Sequence, residues 1–159
     1  MNQIWESIST CRICDSDFLS EVLDLGAQPP ANSLYPPNEM PPPRIPLRAL
    51  FCNKCGCVQL GESVNPEYLF GKYLWVTGTS RTATEYSQRF AQRALQKIKT
   101  QQPFVVEVAS NDGTFLQEFK KQNSEVLGID PAKNIAELAN SNGIPTQADF
   151  FTQEVAENV

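Results

Sequence analysis

Two CxxC pairs set the terms on which the first part of this chain can fold. Cys11-Arg-Ile-Cys14 and Cys52-Asn-Lys-Cys55 stand 37 residues apart, and eight of the twelve prolines lie between them, from Pro29 to Pro46. Proline fixes φ and has no amide proton, so QPPANSLYPPNEMPPPRIP is excluded from helix and from the centre of a sheet; it reads as an extended surface loop. A segment so short and so interrupted buries too little apolar surface to fold without a clamp. A CxxC turn brings two thiolates together, and two such turns complete a tetrahedral metal shell. The chain has no histidine, so the expected ligands are all thiolate: Cys11, Cys14, Cys52 and Cys55. Zinc is the expected metal; iron takes the same geometry, but nothing else in the chain suggests redox work. A closed four-ligand shell leaves no open position for substrate, which makes the site structural. Gly56 suits a tight knuckle with backbone amides aimed at sulfur. The fifth cysteine, Cys57, reads as a packed thiol, because replacing Cys55 with it would break the symmetry with the first pair. Buried free cysteines are the competing reading, with disulfides behind them.

The remaining composition narrows the class. Residues 1–103 carry ten Lys/Arg and nine Asp/Glu, whereas 104–159 carry three and nine. No basic stripe is present, so no nucleic-acid partner is expected. No run reaches the roughly 18 apolar residues of a membrane span, so no membrane partner is expected either. MNQIWESISTC has neither a basic start nor an apolar core, so it does not read as a secretory signal. With clustered cysteines, that points to a reducing, cytoplasmic setting.

Past Gly61 the pattern changes. Residues 66–80 are aromatic and punctuated by glycine, as in a loop or short turns. Ala83, Tyr86, Phe90, Ala94 and Ile98 then recur at helical spacing, which predicts a helix over 82–99 with Ser80 as N-cap and Pro103 as the stop. From 104 onward strands and helices alternate. The expected elements are a strand over 104–109, a turn at Asn111-Asp112-Gly113, a helix over 114–122, a strand over 125–130, a helix over 133–141 and a strand over 144–148. Such a series implies a parallel sheet. The expected organisation is a zinc-binding domain over 1–66, a connecting loop and helix over 67–103, and the first part of a Rossmann-like domain over 104–159.

The junction of the first parallel strand with its helix, Glu107-Val-Ala-Ser-Asn-Asp-Gly113, is where a doubly wound fold opens its ligand crevice. Asp130 follows Gly113 by 17 residues and ends the second strand. A carboxylate at that place can accept both hydroxyls of an adenosine ribose, whether in NAD, FAD or S-adenosylmethionine. The loop has one glycine where a pyrophosphate needs several, and it carries Asp112, which would repel that anion and welcome a sulfonium and an α-ammonium. The balance favours S-adenosylmethionine. A plain βα turn, with Asp130 as a helix cap, stays open beside it.

In order and spacing, CRIC, VLDLGAQPPANSLY, PLRALFCNKCGCVQL, KYLWVTGTS and VVEVASNDGTFLQEF…VLGIDPAKNIAELANSNGIPTQADFF resemble the zinc-containing sugar C-methyltransferases, a class I S-adenosylmethionine-dependent family. The likeness runs over nearly the whole chain. It implies an α/β architecture in which a small four-cysteine zinc domain precedes the first half of a Rossmann-like methyltransferase domain. It implies that Glu107, Ala109, Ser110, Asn111, Asp112 and Gly113 lie along the methionine side of the cofactor. Asp130 would take the ribose, and Asp149 and Phe150 would flank the adenine. The implied substrate is a small-molecule nucleotide-linked keto-deoxysugar, methylated on carbon.

The sequence departs from the family's pattern at Trp75, where a second tyrosine is common, and at Tyr86, where a histidine is. Ala109 stands in place of the first glycine. Tyr73, Thr79 and Ser80 read equally as site lining or as packing. The family's catalytic residues come later in the chain. The expectation is therefore an N-terminal portion whose catalytic base lies elsewhere, partnered by a C-terminal remainder. A non-catalytic zinc-clamped binding module and an NAD-dependent sugar-nucleotide enzyme are the alternatives.

Overall fold

The computed structural model describes residues 4–159; Met1–Gln3, the start of the domain expected over 1–66, lie outside the described residues. The chain divides into two units, with the boundary between Leu69 and Phe70.

The first unit is built from short strands: β1 (Trp5–Ser7), β2 (Leu19–Gln28), β3 (Ile45–Cys52), β4 (Val58–Leu60) and β5 (Glu62–Val64). β1 pairs antiparallel with β5, and β2-β3-β4 form an antiparallel sheet with β3 in the middle. Its interior is thin. Among the described residues of this unit, the buried apolar side chains are Cys11, Ile45, Leu50 and Cys52, so the cysteine cluster is itself half of the core. Val22, Leu23 and Leu25 on β2 are each more than half exposed. That exposure is why β2 escapes a sequence reading, since no period-two pattern of burial marks it.

Polar contacts brace the unit. The Gln59 side chain accepts from the Arg12 amide at 2.8 Å and donates to the Thr10 carbonyl at 3.0 Å, fastening the first knuckle to β4. Arg48 donates through Nε to the buried Glu62 at 2.8 Å. The proline segment is irregular as expected, but only to Arg44, because β3 takes in Pro46. Proline is tolerated there because β4 pairs only with Ala49–Phe51, leaving Pro46 opposite Ala27 alone at an irregular end of the ladder.

A short helix, α1 (Pro66–Phe70), spans the boundary. The second unit continues with a 3-10 turn (Thr77–Thr79), α2 (Arg81–Leu95), β6 (Phe104–Val108), α3 (Thr114–Lys120), β7 (Glu125–Ile129), α4 (Lys133–Ser141), β8 (Thr146–Gln147) and α5 (Gln153–Glu157). Ser80 caps α2, accepting from the Ala83 amide at 3.3 Å. The regular helix stops at Leu95 rather than 99; tight bonds from Lys97 to Ala94 and from Ile98 to Leu95 close its last turn. β6, β7 and β8 form a parallel sheet in that order. Ala91, Leu116, Phe119, Val126, Ala139 and Ile144 make the core between helices and sheet. β6 ends at Val108 because Ala109 turns to φ 56°. Among the described residues, no helix is long and apolar enough to cross a membrane.

Candidate metal centre and candidate cofactor crevice

The two CxxC turns are built alike. In the first, the Asp15 amide donates to the Cys11 carbonyl at 2.9 Å; in the second, Gly56 donates to Cys52 at 2.8 Å. The residue closing each turn is left-handed, Asp15 at φ 56° and Gly56 at φ 78°, a conformation open to glycine and tolerated by aspartate. Together they bring the Sγ atoms of Cys11, Cys14, Cys52 and Cys55 within 4.8 Å of one another. Two contacts cross between the turns, Cys11 to Cys55 and Cys14 to Cys52, both at 3.6 Å. Four sulfurs about 2.3 Å from one zinc would stand about 3.8 Å apart, so the donor set and its spacing fit Zn²⁺. The Ile13 amide aims at the sulfur of Cys11 at 3.5 Å.

That amide is the largest influence on the Cys11 thiol, lowering it to about 6 against the opposing effect of burial. Cys55 goes the other way. Its contact with the Cys57 backbone lowers it, but the Cys14 side chain, desolvation and the other thiols outweigh this and push it up to about 12. The physical content is that one thiolate forms readily among these four, and a full set needs the charge of a cation. Cys57 stays outside the group of four, its thiol 3.6 Å from the Val58 carbonyl and raised chiefly by burial.

The second constellation lies at the carboxyl ends of the parallel strands. Residues 109–113 follow β6, Asp130 follows β7, and Asp149 and Phe150 follow β8. Between Val108 and α3, the backbone is left-handed three times, at Ala109 (φ 56°), Asn111 (φ 52°) and Gly113 (φ 76°). Two of these are not glycine, a strain of the kind that clusters at functional turns. Glycine is required at 113 for a second reason: a Cβ there would lie 2.7 Å from Cγ2 of Ile144.

Asp130 holds this turn in shape. Its Oδ2 accepts from the Asn111 amide at 2.8 Å and its Oδ1 from the Ala132 amide at 2.9 Å, and the residue is only 7% exposed. Each carboxylate oxygen keeps a further lone pair. Asp112 is also engaged: Oδ1 accepts from the Thr114 hydroxyl at 2.7 Å and Oδ2 from the Gly78 amide at 3.0 Å. The fit to Gly78 is close, since a Cβ there would come 2.6 Å from Oδ2 of Asp112.

Glu107 differs from both. Its Oε2 is buried and finds no hydrogen-bond partner. Desolvation first, then the charges of Asp112 and Asp130, raise it from 4.5 to about 7. Ser110 is buried as well, with its hydroxyl unpartnered. Asp149 lies exposed, and its Oδ1 accepts from the Phe150 amide at 2.8 Å.

Of the more peripheral candidates, Ser80 is a helix cap and Thr79 bonds the Val76 carbonyl at 2.6 Å. Tyr86 stacks in an aromatic cluster with Phe90 and Phe115, at centroid distances of 6.1 and 5.9 Å. Asn134 is a contributor the sequence did not reveal. It hydrogen-bonds Tyr73 in the segment beside the turn, a contact between residues too far apart in sequence for local spacing to show.

Residues 11–70 match the family Methyltransf_13, described as "Putative zinc binding domain". The C-methyltransferase NovU of Streptomyces niveus is 30% identical over 162 aligned positions, which take in all of this chain and 39% of that protein. The chain thus spans well under half the length of the curated relative it matches. Among solved structures, the plantazolicin methyltransferase BpumL in complex with SAH is 18% identical, with a TM-score of 0.35 over 42% of this chain and 29% of its own. Residues 11–70 are thus similar to a zinc-binding family, within a chain similar along its whole length to part of a C-methyltransferase.

Proposed function

We propose that Cys11, Cys14, Cys52 and Cys55 hold one structural zinc ion, that the second unit binds S-adenosylmethionine, and that both serve a C-methyltransferase acting on a nucleotide-linked keto-deoxysugar. The observation that carries the cofactor assignment is the surplus of negative charge at the turn. Glu107 has an unpartnered buried oxygen, and burial first, then the charges of Asp112 and Asp130, raise it to about 7. A cation relieves that surplus, whereas a pyrophosphate adds to it. S-adenosylmethionine carries both an α-ammonium and a sulfonium, and supplies an electrophilic methyl group when bound. Asp130 offers its remaining lone pairs to the ribose, Ala109–Gly113 line the methionine side, and Asp149-Phe150 sit on the adenine side. The base that removes the proton beside the sugar ketone must lie within hydrogen-bond reach of it. Because the catalytic residues of the family that the chain resembles come later in the sequence, we place that base outside these 159 residues.

Titration calorimetry with S-adenosylhomocysteine and with NAD tests the cofactor assignment. Binding of the first and not of the second is expected. Because Glu107 titrates near 7, an ammonium ligand must displace its proton, so affinity should rise by up to about tenfold between pH 6 and pH 8. A pH-independent affinity would remove Glu107 from the site, and binding of NAD alone would favour the dehydrogenase-like alternative. The ligand-free second unit should respond with the opposite sense. The native state holds the Glu107 proton more tightly than the unfolded chain, so its contribution to stability is present below pH 4.5 and lost as pH rises through about 7. Methyl transfer to a keto-sugar nucleotide, assayed with a longer chain that supplies the base, tests the reaction; the absence of turnover there would favour a non-catalytic binding module.

A further inference from the structure

Residues 73–76 belong to no helix or strand, yet two asparagine side chains hold them at defined points. Asn134, in the first turn of α4, accepts from the Tyr73 amide at 3.2 Å and donates to the Tyr73 carbonyl at 2.8 Å. Asn111, in the left-handed turn, accepts from the Thr77 amide at 2.8 Å and donates to the Trp75 carbonyl at 3.0 Å. A primary amide donates and accepts as a peptide group does. Each asparagine therefore acts on this segment as one residue of a neighbouring strand would. Asp112 adds a third point through the Gly78 amide.

We infer that Asn134 is a positioning residue. Together with Asn111 it clips the strap Tyr73–Thr79 against the turn that follows β6, so that order in the strap and occupancy of the crevice rise together. The inference rests on the proposal that this crevice takes S-adenosylmethionine. Its physical basis is shared structure: Asn111 and Asp112 belong to the ligand turn and bind the strap through the same side chains. A ligand that fixes these side chains fixes the strap, and a strap that is already fixed presents them at no further cost in order.

The test compares Asn134→Ala and Asn134→Asp with the unaltered 159-residue chain by hydrogen exchange, thermal unfolding and calorimetry with S-adenosylhomocysteine. Asn134→Ala should speed exchange at the Tyr73 and Thr77 amides by about tenfold, as expected for losing a hydrogen bond or two of ordinary net strength. It should weaken S-adenosylhomocysteine by at least about threefold, the effect of a strap ordered a third of the time. Asn134→Asp keeps the acceptor and loses the donor, so the loosening should be intermediate. An aspartate in a first helical turn favours the helix, so the midpoint of unfolding should hold or rise while the strap loosens. A merely structural role would move both in the same direction. Unchanged strap exchange in Asn134→Ala would overturn the clip, and a loosened strap with unchanged affinity would overturn the linkage. If the unaltered chain fails to bind S-adenosylhomocysteine, the cofactor proposal and the linkage fall together, while the exchange data still decide the clip.

Discussion

A Cys52→Ser chain is expected to lose its metal and its β2-β3-β4 sheet in one step. Cys52 is fully buried at the end of β3, and its Sγ lies 3.6 Å from that of Cys14. Serine is a poor zinc ligand, and without the cation the remaining cysteines take up protons and no longer tie the two turns together. The rest of the unit has little to resist with. Besides the cysteines, its buried apolar side chains among the described residues are Ile45 and Leu50, each worth about 1.5–3 kcal/mol when fully buried. A structural zinc site contributes about 10–16 kcal/mol of apparent binding free energy, so the metal decides whether this unit folds. Elemental analysis should fall from one zinc per chain to near none, and exchange protection across β3 should vanish. The parallel sheet, with its core drawn from residues 91–144, should keep its protection. Removal of the metal from the unaltered chain by a chelator should produce the same state and zinc should reverse it. A Cys52→Ser protein that keeps both metal and sheet would contradict the assignment.

The second large effect is expected from the smallest change in side chain. Gly113→Ala places a methyl group at φ 76° and drives it to 2.7 Å from Ile144. The left-handed backbone costs about 1–2 kcal/mol for a residue with a Cβ, and overpacking costs about 1–3 kcal/mol more. A loss of about 2–5 kcal/mol from the second unit is therefore expected, measured by denaturant unfolding. Ligand affinity should fall with it, because the turn moves. Pairing the change with Ile144→Ala separates the two causes. Ile144→Ala alone leaves a cavity costing about 2–5 kcal/mol, but it removes Cγ2 and Cγ1, two of the three atoms the new methyl group strikes, and keeps Cβ at 2.9 Å. The double variant should thus be more stable than additivity predicts by about 1–3 kcal/mol. Strict additivity would show that the contacts with Cγ1 and Cγ2 of Ile144 are not what demands glycine.

The metal centre was legible in the sequence because it is written in short-range terms. The two spacings and the absence of histidine already specify four thiolates, and the turns that carry them close within five residues each. The parallel βα series was legible for a similar reason, since periodicity and turn residues act locally. Where local signals weaken, the reading drifted. Ile98 keeps the helical spacing, yet α2 stops at Leu95. The strands of the first unit went unseen because β2 has almost no buried face.

Asp130 shows what lay beyond reach. Its position after the second strand makes it the expected ribose ligand, but only the fold reveals that both its oxygens already hold backbone amides, of the turn and of the residue before α4. The state of Glu107 is tertiary in the same sense. It depends on burial and on charges at 112 and 130, of which Asp130 comes near only when β6 and β7 pair, with Glu107 opposite Gly128. The clip at Asn134 joins residues 61 positions apart. By itself, the sequence determined the grouping of four cysteines and the order of the parallel βα series, because spacing and periodicity are local properties of the chain. Only the tertiary structure decided which crevice groups are free and charged, because those depend on which distant atoms exclude water and supply hydrogen bonds.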